Sequence, residues 1–275
     1  MLSAGIDAGS RTIKVVVLEA DTLTPVASGV VDQGIEQESL AMQLLDRLLA
    51  AAGRSGDSLE AICATGYGRK LIRSADVAVT EITCHGCGVH RLVPEARSVI
   101  DIGGQDSKIL HINGDGIVAD FQMNDRCAAG TGRFLEVLST RLGVRLAELG
   151  DMVRRSRKRA VISSMCVVFA ETEIVGLLAS GELPEDIAAG VQESIAARVA
   201  AMAGRHLPEP VVFTGGVALV PGMKDALSAA LGRPVAIAPT PQMTGALGAA
   251  ILAARREETS SPRRSASPDT PGGHC

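Results

Sequence analysis

Ile6-Asp7-Ala8-Gly9-Ser10-Arg11-Thr12-Ile13-Lys14 is the run that decides the fold. It lies where two short apolar stretches, residues 4–8 and 13–19, meet at a turn over residues 9–12. The second stretch is rich in β-branched residues, which suit a pleated surface. Gly9 permits a tight hairpin. Backbone amides and the Ser10 and Thr12 hydroxyls can then point at phosphate oxygens. Lys14 can neutralise phosphate charge, and Asp7 suits Mg²⁺, directly or through water. Taken alone, the motif also fits an ordinary glycine hairpin.

The same logic returns further along. Residues 97–102 read as a strand ending at Asp101, and Gly103-Gly104-Gln105-Asp106-Ser107-Lys108 follows. The two glycines allow close backbone approach, and Gln105 can orient an attacking water. A third element, Thr214-Gly215-Gly216-Val217-Ala218, ends the strand at 211–214 and suits an adenine or ribose. This order resembles the phosphate-1, phosphate-2 and adenosine motifs of the actin/Hsp70/sugar-kinase superfamily. The expected fold is α/β: a two-lobed actin/Hsp70/sugar-kinase (ASKHA, ribonuclease H-like) ATPase fold with duplicated β-sheet subdomains. No Gly-x-x-x-x-Gly-Lys-Ser/Thr loop occurs, which argues against a P-loop ATPase.

Around these motifs the pattern predicts strands at 25–31, 61–65, 108–112, 117–122 and 235–238. Helices are predicted at 38–52, 130–142, 146–154, 170–180, 185–205, 220–231 and 243–255. One lobe is expected over 1–97, with helix 243–255 packing back on it, and a second over 98–242. Residues 256–275, rich in Ser, Pro, Arg and Gly, read as a disordered tail.

The chain has 275 residues, is 46% hydrophobic and 21% charged, and carries a net charge of −4. That is globular, with no basic surface for nucleic acid and no run long enough to span a membrane. The start reads as a strand, not a signal peptide, so a cytoplasmic location is expected. Four Phe, one Tyr and no Trp leave the core to Ala, Val, Ile and Leu.

The six cysteines are spaced irregularly, unlike a secreted disulfide framework. Cys127, in Met123-Asn-Asp-Arg-Cys127-Ala-Ala-Gly-Thr-Gly-Arg-Phe134, precedes a predicted helix. So does Cys166, in Ser163-Ser-Met-Cys166-Val-Val-Phe-Ala-Glu171. Helix N-termini favour thiolates and the negative charge of an iron–sulfur cluster. A four-iron cluster takes four thiolates; this pair gives two, and a symmetric dimer would complete the set. Spacing alone favours the plainer reading of two small buried hydrophobes. Cys84-His85-Gly86-Cys87 is a Cys-x-x-Cys stretch that fits a redox pair or half of a metal site, and is read first as packing near the lobe junction.

At these residues the chain resembles the activator ATPases of 2-hydroxyacyl-CoA dehydratases (the BadF/BadG/BcrA/BcrD-type family), a group that includes ATPase subunits of benzoyl-CoA reductases. The matching segments include Ile6–Ser10, Ala64–Arg69, Ile100–Asp106, Phe121–Phe134, Val168–Glu171, Thr214–Ala218 and Gly245–Gly248. They run through nearly the whole chain except the tail. The resemblance implies a homodimer sharing one [4Fe-4S] cluster on Cys127 and Cys166 of each chain. It implies ATP and Mg²⁺ between the lobes, with Asp7, Asp101 and Gln105 catalytic. Nucleotide contacts carried over by motif are Ser10, Arg11, Thr12, Ile13, Lys14, Gly103, Gly104, Gly215, Gly216, Val217 and Gln242. It further implies that ATP hydrolysis drives one low-potential electron, received from ferredoxin or flavodoxin, into a 2-hydroxyacyl-CoA dehydratase component. A subunit of a benzoyl-CoA reductase-type complex would use the same chemistry with another partner. A small-molecule or sugar kinase would need a substrate pocket with a catalytic carboxylate and would hold no iron.

Overall fold

Each half of the chain builds the same five-stranded sheet. A computed structural model describes residues 1–164, 166–204 and 206–255, the side chain of Asp57 excepted. The disordered tail expected at 256–275 lies outside the described residues. In the first half, β1 (Leu2–Ala8), β2 (Thr12–Glu19) and β3 (Thr24–Asp32) form an antiparallel meander. β4 (Leu59–Thr65) then pairs parallel to β1, and β5 (Val77–Ala78) parallel to β4. The order is β3-β2-β1-β4-β5.

The second half repeats this with β6 (Ser98–Ile102), β7 (Ser107–Ile112), β8 (Val118–Asn124), β9 (Val211–Thr214) and β10 (Val235–Ile237), ordered β10-β9-β6-β7-β8. β6 again joins an antiparallel partner, β7, to a parallel one, β9. The central strands are covered on both faces: every residue of β1 and of β6 is buried. Apart from Ser3, Asp7, Ser98 and Asp101 their residues are apolar or glycine, as suits strands covered on both faces.

Helix α1 (Gln37–Ala51) lays Ala41, Leu44, Leu45 and Leu49 against the first sheet. It stops where Gly53 takes φ 66° and the Arg54 amide donates to the Leu49 carbonyl at 2.9 Å. In the second half, α3 (Gly132–Leu142), α4 (Leu149–Arg155), α5 (Val167–Ala179), α6 (Pro184–Ala203) and α7 (Met223–Leu231) enclose a core that includes Ile100, Phe134, Leu138, Ile195 and Phe213. Two helices, α2 (Glu81–Leu92) and α8 (Thr244–Arg255), pack on one another between the halves.

Helix α2 escaped the sequence reading. Thr80 caps it by accepting from the Thr83 amide, but Gly86 and Gly88 interrupt any apolar periodicity. Those glycines are needed where the helices cross. A Cβ on Gly88 would strike the Thr244 carbonyl, and one on Gly248 the Cys84 carbonyl. Other boundaries shift by a few residues. Residues Ala128–Gly130 and Leu146–Glu148 wind as 3-10 turns ahead of α3 and α4, and α5 begins immediately after Cys166.

Candidate functional site

Across the β1–β2 hairpin, Asp7 stands opposite Lys14, and their Oδ2 and Nζ atoms lie 3.2 Å apart. Across β6–β7, Asp101 stands opposite Lys108, with Oδ2 and Nζ again 3.2 Å apart. Each pair has a guarding glycine at the end of the parallel neighbour strand. Gly66 follows β4 with φ 86°, and Gly215 follows β9 with φ 88°. A Cβ on Gly66 would press on the Asp7 carboxylate and the Ala8 backbone; one on Gly215 would press on the Asp101 carboxylate and the Ile102 backbone. Only glycine leaves both carboxylates room.

Both pairs face one cavity of about 430 Å³ between the sheets. Of the residues expected at the nucleotide, Ser10, Arg11, Thr12, Lys14, Gly103, Gly104, Gln105, Gly215, Gly216, Val217 and Gln242 line it, with Asp7 and Asp101. Ile13 does not. Its side chain points the other way along the strand alternation and is buried with Ile6 and Val15 in the first core. A backbone contact is all that remains open to it. One part of the wall is apolar, from Leu135, Leu146, Val217 and Val220, and suits a flat base.

The inner wall also holds residues that the motifs did not single out. Lys108 is 1% exposed and sits 2.8 Å from Asp106 and 3.5 Å from Glu81, besides Asp101. Burial would discharge a lysine, but the three carboxylates hold this one charged, with its pKa above the ordinary value. Burial likewise works to raise Asp101, yet the neighbouring His85 and Lys108 keep its carboxyl below the usual range. At Glu81 burial prevails over Lys108 and the carboxyl is raised. Behind Asp101, His85 Nδ1 lies 2.9 Å from Thr244 Oγ1, which lies 2.7 Å from Thr214 Oγ1. A buried polar chain thus ties α2, α8 and β9 together. Glu81 was missed because its helix was missed; His85 was quoted only with its neighbouring cysteines, and Asp106 and Lys108 stood in the quoted motif without a role.

Cys127 and Cys166 lie outside this cavity. Cys127 heads the 3-10 turn that runs into α3. Its amide donates to Asn124 Oδ1 at 3.0 Å, while Asn124 Nδ2 donates to its carbonyl at 2.8 Å. Cys166 is the N-cap of α5 and is exposed. Glu173 accepts from the amides of Ser163 and Ser164, both at 2.9 Å, and from the Ser163 hydroxyl at 2.6 Å. Although burial works to raise it, these bonds hold the Glu173 carboxyl down at about 2. Arg198 Nη2 donates to the Ser164 carbonyl at 3.0 Å. Each thiol therefore heads a helical turn whose leading N–H groups have no partner in the turn, a donor set that fits half of a four-thiolate cluster. Val168 and Phe169, on the first turn of α5, are 67% and 69% exposed beside Cys166.

The cavity and the Cys127 turn share a backbone. The Gly132 amide donates to the Gly103 carbonyl at 2.9 Å and the Arg133 amide to the Gly104 carbonyl at 2.9 Å. Thr131 Oγ1 also donates to the Gly104 carbonyl, at 3.1 Å, and to the Ala128 carbonyl, at 2.8 Å.

The remaining described cysteines pack at the junction of the halves. Cys63 and Cys84 are fully buried between β4, α2 and α8. A hydrogen bond with Cys63, reinforced by burial, raises the Cys84 thiol, and burial raises Cys87. Thiols so held are protonated and poor nucleophiles.

With this geometry in place, comparison with known proteins is informative. The profile of the BadF/BadG/BcrA/BcrD ATPase family matches residues 4–253. The activator of lactoyl-CoA dehydratase from Anaerotignum propionicum is 42% identical over 254 residues, covering 92% of this chain and 97% of its own. Among solved structures, the activator of the 2-hydroxyisocaproyl-CoA dehydratase from Clostridium difficile with bound ADPNP superposes with a TM-score of 0.88 at 37% identity, covering 97% of this chain and 100% of that one. A ROK hexokinase from Thermus thermophilus, at 16% identity and a TM-score of 0.53, covers 94% of this chain and 100% of its own and shares the fold alone.

Proposed function

The chain belongs to the BadF/BadG/BcrA/BcrD ATPase family, and from that membership we propose that it is an ATP-driven iron–sulfur activator of a 2-hydroxyacyl-CoA dehydratase. One observation carries the reading: the Gly103-Gly104 loop at the cavity and the turn headed by Cys127 are joined by direct hydrogen bonds. A phosphate site and a thiolate site built on one piece of backbone suit a machine that couples the two.

ATP with Mg²⁺ occupies the cavity between a first lobe over 1–97, completed by 243–255, and a second lobe over 98–242. Ser10, Arg11, Thr12, Lys14 and the glycine amides bind the phosphates. Asp7 and Asp101 would hold the ion, which supplies charge neutralisation for the phosphates when bound. Gln105 orients the attacking water, and Glu81, raised by burial, accepts its proton. Leu135, Leu146 and Val220 exclude water from the base.

Cys127 and Cys166 from each of two copies hold one [4Fe-4S] cluster, which supplies a one-electron carrier of low potential when bound. The exposed Val168 and Phe169 meet their counterparts across the two-fold axis. The electron donor is a ferredoxin or flavodoxin, and the protein works in the cytoplasm; no helix among the described residues is long and apolar enough to cross a membrane. Anaerobic purification followed by iron and acid-labile sulfide analysis tests the reading. It expects roughly two iron atoms per chain, lost in Cys127→Ser. Wild-type protein that stays iron-free after anaerobic reconstitution would favour a kinase-like ATPase without a cluster.

A further inference from the structure

At the cavity an ion pair joins the β1–β2 hairpin of the first half to helix α3 of the second. Arg11 sits on the β1–β2 hairpin, and Glu136 sits on α3, one turn beyond the residues bonded to Gly103 and Gly104. Arg11 Nε and Glu136 Oε1 are 2.8 Å apart. The stem of Arg11 lies over Gly104, so close that a Cβ there would collide with it. Arg11 and Glu136 both line the cavity. Glu136 has a second cation at hand, Arg133 Nη1 at 3.1 Å, on its own helix.

A guanidinium at the mouth of a phosphate site has two anions to choose from. An internal carboxylate competes with an incoming phosphate for the same face of the fork, and a phosphate oxygen bears the greater charge. The carboxylate it leaves is not stranded, because Arg133 stays beside it. The trade is therefore inexpensive, and it breaks the one side-chain ion pair among the described residues that joins the hairpin to α3.

We propose that Arg11 and Glu136 form a nucleotide-operated latch: without ligand the pair ties the hairpin to α3, and a triphosphate draws Arg11 away and releases the start of that helix. Arg11 and Glu136 are positioning residues for the turn that carries Cys127. The latch rests on the reading of the cavity as an ATP site. What moves is the segment 127–136, which is bonded to the phosphate loop on one side and pinned by Glu136 on the other.

The test uses full-length protein with Mg²⁺ and ADPNP as the probe. Affinity is measured by titration calorimetry and amide hydrogen exchange over residues 127–136, for wild type, Glu136→Gln and Arg11→Gln. Removing the competing carboxylate should tighten ADPNP binding by about three-fold, the scale of a partly exposed ion pair. Removing the guanidinium should weaken it. In both variants the ligand-free segment should already exchange as fast as the wild-type segment does with ADPNP, and ADPNP should add little. This pairing of opposite signs on affinity with one sign on exchange is not expected of a merely structural contact. Glu136→Gln that binds ADPNP no tighter than wild type, or whose segment still responds fully to ADPNP, would overturn the latch while leaving the ATP site standing. Wild-type protein that binds no ADPNP would overturn both.

Discussion

Glu173 shows how a single side chain can prepare a site it never enters. Its carboxylate gathers three hydrogen bonds from Ser163 and Ser164, just ahead of Cys166. The ordinary value of 4.5 falls to about 2, so the group binds protons more weakly in the folded chain than in the unfolded one. The stabilisation is then complete above about pH 4.5 and fades as the pH falls towards 2. Near neutrality Glu173→Gln should cost about 1–2 kcal/mol. Urea unfolding at a series of pH values should show the gap between wild type and variant closing below about pH 4.5. A gap of constant size would mean that the charge is not what holds the loop. Nothing in the sequence marks Glu173 for this role, because its partners, two backbone amides and the Ser163 hydroxyl, are placed by the fold. Asp7 and Asp101, by contrast, were legible, because an acid before a glycine hairpin is a local pattern. The Ile13 side chain faces away from the cavity because a strand turns alternate side chains to opposite faces, whereas a motif names positions in a row.

At the scale of elements, the strands were the easiest to read and α2 the hardest. β2, β6 and β9 announce themselves by apolar, β-branched runs, and β1, β6 and β9 each stop at a glycine. Helix α2 carries Gly86 and Gly88, which weaken a helix in isolation, and its identity comes from its crossing with α8. The same property makes the crossing testable. Gly248→Ala would drive a methyl group into the Cys84 carbonyl and should cost about 1–3 kcal/mol. Gly176→Ala, on the exposed face of α5 with nothing within 4 Å, should instead stabilise by roughly 0.5–1 kcal/mol. Thermal melts of the two variants should move in opposite directions. A shift of like sign in both would show that backbone entropy, and not close approach, governs these glycines.

For the whole molecule, the repeated acid–glycine junction was enough to foresee two matched sheets, while the side chains left on the outer surface were not foreseen. Surface apolar residues have no periodic signature; only the fold brings Val168 and Phe169 out beside Cys166. On the proposed pairing of two copies at this face, Phe169→Asp should weaken self-association at least ~tenfold, as loss of a central aromatic anchor does. Sedimentation of anaerobic protein would show a shift from dimer to monomer, with iron per chain falling in parallel. A variant that remains dimeric with full iron would place the pairing face elsewhere.

The two Asp–Lys pairs make one further point. They begin as copies, with the same register and the same 3.2 Å separation, yet they differ in access. Lys14 is 16% exposed and its one salt bridge among the described residues is to Asp7, whereas Lys108 is 1% exposed and is held by three carboxylates. A nucleotide has a head and a tail, so two identical walls could not both serve it. An incoming phosphate therefore has one contact to displace at Lys14 and three at Lys108, so the two ends of the cavity offer it unequal welcomes.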